Sequence, residues 1–180
     1  TIAGYELRKK LGEGGMGAVY RARQHSVDRH VAVKVLKRDY AADLTAIKRF
    51  YREAQAASAL SHPNTITVFD FGQTDDGLLY MVMELCDGTP LDEVLDHNGA
   101  LEPQRAVRIL CQVCDSLAEA HDQGLVHRDL KPANILVGTM YGNEDFVKVL
   151  DFGIAKLTEG EAGQTLTQTG TAIGTPQYMS

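Results

Sequence analysis

The chain has 180 residues, 44% hydrophobic and 23% charged, with a formal net charge of −6. That composition is globular and excludes wholesale disorder. The acidic balance, with a pI near 5.5, argues against a nucleic-acid partner, which calls for a basic excess. The longest apolar run, residues 78–83, falls far short of the roughly 20 residues that cross a bilayer. The first ten residues carry no signal-peptide core. Cys86, Cys111 and Cys114 cannot form a full disulfide set and fit a reducing, cytoplasmic location. At this length the expectation is one complete soluble domain, or two small lobes sharing a core.

Taken in chain order, residues 5–36 read as strands: 5–7 and 19–23 alternate loosely, and 30–36 is β-branched-rich. A glycine cluster at 12–17 makes the first connection a hairpin with a flexible tip. Residues 43–60 read as a helix, with Asp43 as N-cap and Ile47, Phe50, Ala54 and Ala57 at helical spacing. Strands are expected near 66–71 and 78–85, joined through Asp75-Asp76-Gly77. From Pro90 the pattern turns helical, with a short helix at 91–97 and a long one at 103–123 that has proline near its start and Gly124 past its end. Short strands return at 135–137 and 146–150, with residues 138–145 read as a long loop. A sheet-rich first half meeting a helical second half near residue 86 is an α+β arrangement.

Gly12-Glu13-Gly14-Gly15-Met16-Gly17 fits G-x-G-x-x-G, a backbone that can approach a phosphate with no Cβ in the way. A dinucleotide fingerprint would open a helix and place an acid about 20 residues on. Here a strand follows, and Lys34 stands 17 positions after Gly17. Lys34 interrupts an apolar strand, with Ala32, Lys34 and Leu36 on one face and Val31, Val33 and Val35 on the other. It is either a solvated outer-face lysine or a buried cation that needs a partner. Glu53 lies on the apolar stripe of the 43–60 helix and is a candidate partner; the plainer alternative is that it pairs with Arg49 or Arg52.

The segment His127-Arg128-Asp129-Leu130-Lys131-Pro132-Ala133-Asn134, then Asp151-Phe152-Gly153, completes an ordered set with the glycine loop and Val31-Ala32-Val33-Lys34. With these motifs the chain resembles the eukaryotic-type (Hanks-type) protein kinase family. Residues 12–20 and 174–180 are similar to its bacterial Ser/Thr branch. The resemblance implies a two-lobed kinase fold. Residues 1–85 would form an N-lobe with an antiparallel sheet and one helix; residues 86–180 would form the hinge and a mainly helical C-lobe. Members continue beyond the point reached here with further helices, so a C-terminally truncated catalytic domain is expected in place of a complete one.

The resemblance also assigns roles. Asp129 would orient the substrate hydroxyl and accept its proton, with Lys131 against the γ-phosphate and Thr175 supporting both. Lys34, held by Glu53, would contact the α/β-phosphates, and Asn134 and Asp151 would hold Mg²⁺, with Mn²⁺ as a substitute. ATP would be covered by Leu11, Gly12, Glu13, Gly14, Gly15, Met16 and Gly17, with adenine between Val19 and Ala32 above and Leu136 below. Met83 takes the gatekeeper position, and Glu84 and Cys86 belong to the hinge. Phe152, His127 and Ala57 map onto the internal spine. Lysine at 131 marks the Ser/Thr class, and Ala133 leaves sequence preference open.

Arg128 beside Asp129 is a feature of kinases switched on by loop phosphorylation, and Thr167 and Thr169 are the first-choice autophosphorylation sites. The implied partners are Ser/Thr protein substrates and a kinase homodimer for autophosphorylation. The bacterial branch leaves open a membrane-anchored parent of which this is the cytosolic part. The alternative is a nucleotide-binding but inactive fragment or a pseudokinase-like scaffold. Degraded catalytic positions would favour it, and Lys34, Glu53, Asp129, Asn134 and Asp151 are all present. Cys111 and Cys114 form a single C-x-x-C amid Ile109, Leu110, Val113 and Leu117, which reads as ordinary buried thiols and neither a metal nor a redox site.

Overall fold

The computed structural model describes residues 1–41, 43–140 and 142–152. These divide into two compact units, the first built from Thr1–Ala59 and Thr67–Leu85, the second from Leu60–Ile66 and 86–152.

The first unit is a five-stranded antiparallel sheet with one helix. Strands β1 (Tyr5–Glu13), β2 (Gly17–Gln24), β3 (Arg29–Leu36), β4 (Val68–Gln73) and β5 (Leu79–Glu84) lie in the order β1-β2-β3-β5-β4. One face is a core of Tyr5, Ala22, Val31, Val33, Tyr80 and Val82, against which Val35 packs. The alternation expected of β3 therefore holds, with Ala32 and Lys34 on the opposite face. The turn at 75–77 closes through the Thr74 amide, which donates to Leu78 O at 2.9 Å, and Gly77 takes a φ of 87° that glycine adopts without strain.

Helix α1 (Leu44–Ser58) starts where the sequence places it. The Asp43 carboxylate accepts the amides of Thr45 and Ala46 at 3.1 and 3.3 Å, a cap that stabilises by about 1 kcal/mol. Phe50, 1% exposed, meets Phe71 of β4 edge-on at 6.4 Å between centroids. Burying such a ring is worth about 2–3 kcal/mol and seats the helix on the sheet.

In the second unit, β6 (Thr89–Pro90), β7 (Ile135–Met140) and β8 (Asn143–Val149) form an antiparallel sheet in that order, with helices α2 (Leu91–Asn98) and α3 (Pro103–Asp122). Helix α3 has Pro103 in its first turn, a Glu102 cap on the Arg105 amide at 3.0 Å, and Gly124 at φ 72° just beyond its end.

Three expectations need correction. Residues 138–145 are not a loop: β7 and β8 extend through them, pairing as far as Met140 with Asn143. Gly138 hid this, because it looks like a breaker. It is glycine because a Cβ there would lie 2.4 Å from Asp87 O. Second, β4 starts at Val68; Thr65 instead forms a parallel bridge with Val149, and the Ile66 amide donates to Val149 O at 3.0 Å. Third, Cys111 and Cys114 are exposed. The buried stripe of α3 runs Ile109, Val113, Ser116, Ala120, and the cysteines fall off it, with Val107 and Leu110 (58% and 54% exposed) also outside. Strand β6 was missed as well, being only two residues long.

Candidate active site

In the first unit the glycine loop is the turn between β1 and β2. The Gly14 amide donates to Gly17 O at 2.8 Å, and the Lys37 amide donates to Met16 O at 2.9 Å. A Cβ on Gly12, Gly14 or Gly15 would meet nothing within 4 Å, so those positions face open space. Gly17 differs: its Cβ would lie 2.0 Å from Val35 O. Leu11 is 48% exposed, and Glu13 pairs with Lys10.

The strand register then sets the face next to this turn. Gly12 lies opposite Val19, Val19 opposite Lys34, and Ala32 opposite Met83. Residues paired across antiparallel strands share a face, so Val19, Ala32, Lys34 and Met83 line one side of the sheet, away from the valine core. Lys34 is 7% exposed, which excludes the solvated-lysine reading. Glu53 is also 7% exposed, and its carboxylate accepts from Nη2 of the exposed Arg52 at 3.2 Å. Glu84 ends β5; its amide donates to Thr67 O at 2.9 Å, and its carboxylate accepts the Thr67 amide at 2.7 Å.

In the second unit, residues 127–134 form a loop that ends in a 3₁₀ turn, Pro132–Asn134. The structure brings three of the expected catalytic side chains together here. Lys131 Nζ lies 2.8 Å from Asp129 Oδ2. Asn134 Nδ2 donates to Asp129 O at 2.8 Å and reaches Asp129 Oδ2 at 3.4 Å. These bonds commit the amide nitrogen of Asn134 to the loop.

Asp151 is positioned through its neighbour. The Leu150 amide donates to Asn134 O at 2.9 Å, and Leu150 O accepts from His127 Nε2 at 2.7 Å. The Asp129 amide donates to His127 Nδ1 at 3.4 Å, so the ring is neutral with its proton on Nε2. Burial, at 2% exposure, pushes the His127 pKa below the ordinary histidine range, in keeping with that tautomer. The imidazole therefore joins the loop carrying Asp129 to the residue before Asp151, and it packs on Phe152 at 4.9 Å between centroids. Arg128 and Asp151 hold left-handed backbones, φ 67° and 60°. Such conformations cost of order 1–3 kcal/mol each and gather at functional sites.

Leu136 is half-buried on β7 opposite Lys148, Cys86 is half-buried, and Ala57 is buried in α1. Gly153, Thr167, Thr169 and Thr175 lie outside the described residues. Among the described residues no group of three or more His, Cys, Asp or Glu could hold a metal by itself. One carboxylate and one amide oxygen, Asp151 and Asn134, suit instead a hard cation that arrives on phosphates and keeps some of its water.

Sequence reasoning missed Lys148, which is 8% exposed and donates to Thr65 O at 3.2 Å. The signal was available: like Lys34, it is a lone lysine in a β-branched strand. It also missed Asn64, Gln112 and Glu119. Glu119 accepts the amides of Ser61 and His62 and the Ser61 hydroxyl at 2.8–2.9 Å.

Comparison with known proteins places the chain in a family. The family described as protein kinase domain matches residues 5–180. The chain belongs to that family. It is 50% identical over 177 residues to the serine/threonine-protein kinase pkn3 of Myxococcus xanthus, covering 98% of this chain and 32% of that protein. It is 44% identical to the serine/threonine-protein kinase PrkC of Bacillus subtilis, covering 98% of this chain and 26% of the relative. The chain thus spans about a third or less of the curated relatives it matches. Among solved structures, the Mycobacterium tuberculosis PknI kinase domain superposes with a TM-score of 0.74 at 35% identity, covering 86% of this chain and 60% of the other. The protein-kinase-like α+β fold and the Hanks-type bacterial branch are thereby shown. No helix among the described residues is long and apolar enough to cross a membrane.

Proposed function

We propose that the protein transfers the γ-phosphoryl group of ATP to serine or threonine hydroxyls of protein substrates. The observation that carries this reading is the loop in which Lys131 and Asn134 converge on Asp129 while His127 fastens the same loop to the residue before Asp151. Phosphoryl transfer needs positioned charge more than covalent help, and this is a positioned set.

The Asp129 carboxylate orients the substrate hydroxyl and takes its proton as the oxygen bonds to the γ-phosphorus. The bond from that phosphorus to the β–γ bridging oxygen breaks, and ADP leaves. Lys131, already beside Asp129, neutralises charge on the transferred group. Asn134 and Asp151 would hold Mg²⁺, or Mn²⁺ in its place, which would supply charge neutralisation for the phosphates. Lys34 contacts the α/β-phosphates and Glu53 holds it there when nucleotide is bound; the burial of both supports this. The turn from Leu11 to Gly17 covers the phosphates, and Val19, Ala32, Met83 and Leu136 enclose adenine, with the backbone of Glu84 and Cys86 along its edge. Residues 1–85 act as the N-lobe and 86–180 as the hinge and C-lobe.

The same reading includes autophosphorylation at Thr167 and Thr169 within a transient homodimer, support of Asp129 and Lys131 by Thr175, and a domain working on the cytosolic side, where ATP is. Transfer from labelled Mg-ATP to a generic protein substrate tests it. Asp129→Asn should lower the rate by at least about 10²; an unchanged rate would remove Asp129 from its role. Peptide mass spectrometry after incubation with Mg-ATP should show phosphate on Thr167 or Thr169.

A further inference from the structure

Strand β8 ends two residues before Asp151, so the strand sets where that carboxylate stands. It pairs with β7 from Val149 opposite Ile135 to Phe146 opposite Gly138, and the Leu150 amide donates to Asn134 O, so the even-numbered residues turn their backbone groups to β7. In an antiparallel strand the odd-numbered residues then turn their backbone groups the other way. That outer edge belongs to Asp145, Val147 and Val149, the two valines being fully buried. Buried backbone groups must find partners.

Among the described residues no continuous strand supplies them. Instead, the Gln112 side chain of α3 acts as a substitute peptide group. Its Nε2 donates to Asp145 O at 2.8 Å, and its Oε1 accepts the Val147 amide at 3.1 Å. Nε2 also donates to Arg108 O of α3 at 3.2 Å. Asn64 continues the line: its Nδ2 donates to Val147 O at 2.8 Å, and its backbone O accepts the Val149 amide at 2.7 Å. The two side chains are joined, Asn64 Nδ2 donating to Gln112 Oε1 at 3.0 Å. The Ile66 amide completes the edge on Val149 O. Arg105 and Arg108 hold the Asp145 carboxylate to the same helix at 2.9 and 3.2 Å.

We propose that Gln112, with Asn64, is a positioning pair for the metal-bound nucleotide: it completes the outer edge of β8 and so fixes the Asp151 carboxylate where the cation is received. The inference rests on the reading of Asp151 as a metal ligand. Neither residue touches the nucleotide; both act through the strand. Removing the Gln112 amide frees the edge at Asp145 and Val147 and lets the end of β8 shift.

The test is binding of an ATP analogue with nitrogen in the β–γ bridge, titrated calorimetrically with and without Mg²⁺ on the whole chain. Gln112→Met keeps the length and loses every hydrogen bond. It should raise the Mg²⁺ concentration for half-maximal tightening about tenfold, in the range of ligand-supporting residues generally, while metal-free binding is unchanged. Hydrogen exchange at the Val147 and Val149 amides should quicken. Val113→Ala, a core truncation one position away on α3, should lower stability without moving the Mg²⁺ requirement. An unchanged Mg²⁺ requirement in folded Gln112→Met, or an equal shift in Val113→Ala, overturns the proposal. Should Gln112→Met not fold, Gln112→Glu keeps the acceptor and loses the donor to Asp145 O; its expected shift is about threefold, and none again overturns it. Asp151→Asn separates the two layers of inference. It should abolish the Mg²⁺ effect, and if it does not, the metal reading fails before the role of Gln112 is reached.

Discussion

Two kinds of glycine sit in the one glycine-rich turn, and alanine should tell them apart. At Gly17 an added Cβ would stand 2.0 Å from Val35 O and 2.9 Å from both Leu36 Cα and Val35 C. Ordinary carbon contacts begin near 3.5 Å, so the start of β2 must move away from β3 by more than about 1 Å. The rung affected is the first of the β2–β3 ladder, Gly17 opposite Leu36. Overpacking of this kind costs about 1–3 kcal/mol, and a weakened ladder hydrogen bond adds about 1. Gly17→Ala should therefore lose about 2–4 kcal/mol, which for a domain of this size lowers Tm by roughly 5–15 °C. At Gly15 the same Cβ meets nothing within 4 Å, so Gly15→Ala should stay within about 0.5 kcal/mol of the parent. Its cost should appear instead in nucleotide binding, where the methyl intrudes on the phosphates. Urea unfolding followed by far-ultraviolet circular dichroism, beside nucleotide titration, reads both. A Gly17→Ala protein as stable as the parent would refute the steric argument.

Further outcomes follow from the buried polar groups. His127 is held neutral with its pKa depressed, so the unfolded chain takes up a proton first as pH falls. Stability is complete above the unfolded value of about 6.5 and declines below it; melting between pH 7.5 and 5 should show that slope, and His127→Asn should flatten it. The Thr65 and Ser116 hydroxyls share a buried 2.7 Å hydrogen bond. Ser116→Ala alone should cost about 1–2 kcal/mol by stranding its partner, and adding Thr65→Val should recover most of it in a double-mutant cycle. Burial first, then the hydrogen bond to Asp70 at 3.0 Å, push Tyr5 up to about 12. A raised pKa gives stability that is whole below pH 10 and fades as pH climbs toward 12; burial also raises Tyr80, so ultraviolet titration should find late-ionising tyrosine that Tyr5→Phe reduces. Burial works to raise the Glu119 pKa, but the Ser61 and His62 hydrogen bonds outweigh it and hold it low. The stability from that contact should therefore fade as pH falls below about 4.5, and Glu119→Ala should lose that acid-side dependence.

Most of the candidate site was legible because its signals are local. The glycine cluster, the lysine in an apolar strand and the 127–134 segment each lie within a few residues, and helix α1 announces its own cap at Asp43. What escaped detection depends on distant partners. Whether Cys111 is buried depends on which stripe of α3 meets β8. Gln112 looks like a solvated helix residue until Asn64 and Val147 are placed beside it. Residues 138–145 looked like a loop because Gly138 carries no strand propensity; only the close approach of Asp87 O explains it. Ile66 was placed in the strand near 66–71, whereas its amide donates to Val149 O, far along the chain and beside the bridge that Thr65 makes there.

The stretch Leu60–Ile66 belongs to the second unit although it interrupts the first in sequence. The polypeptide therefore cannot be cut at one point into two self-sufficient modules. A fragment ending at Leu85 would carry Asn64 and Thr65 without the strand they bond. One starting at Cys86 would lack the groups that close the edge of β8, one of which reaches across 83 positions of sequence. Contacts of that span are late and slow to form, so the second unit completes its sheet only once the first part of the chain has been delivered to it. Exchange of parts between relatives would have to respect the same constraint: a transplanted second half needs its own short strip from the first.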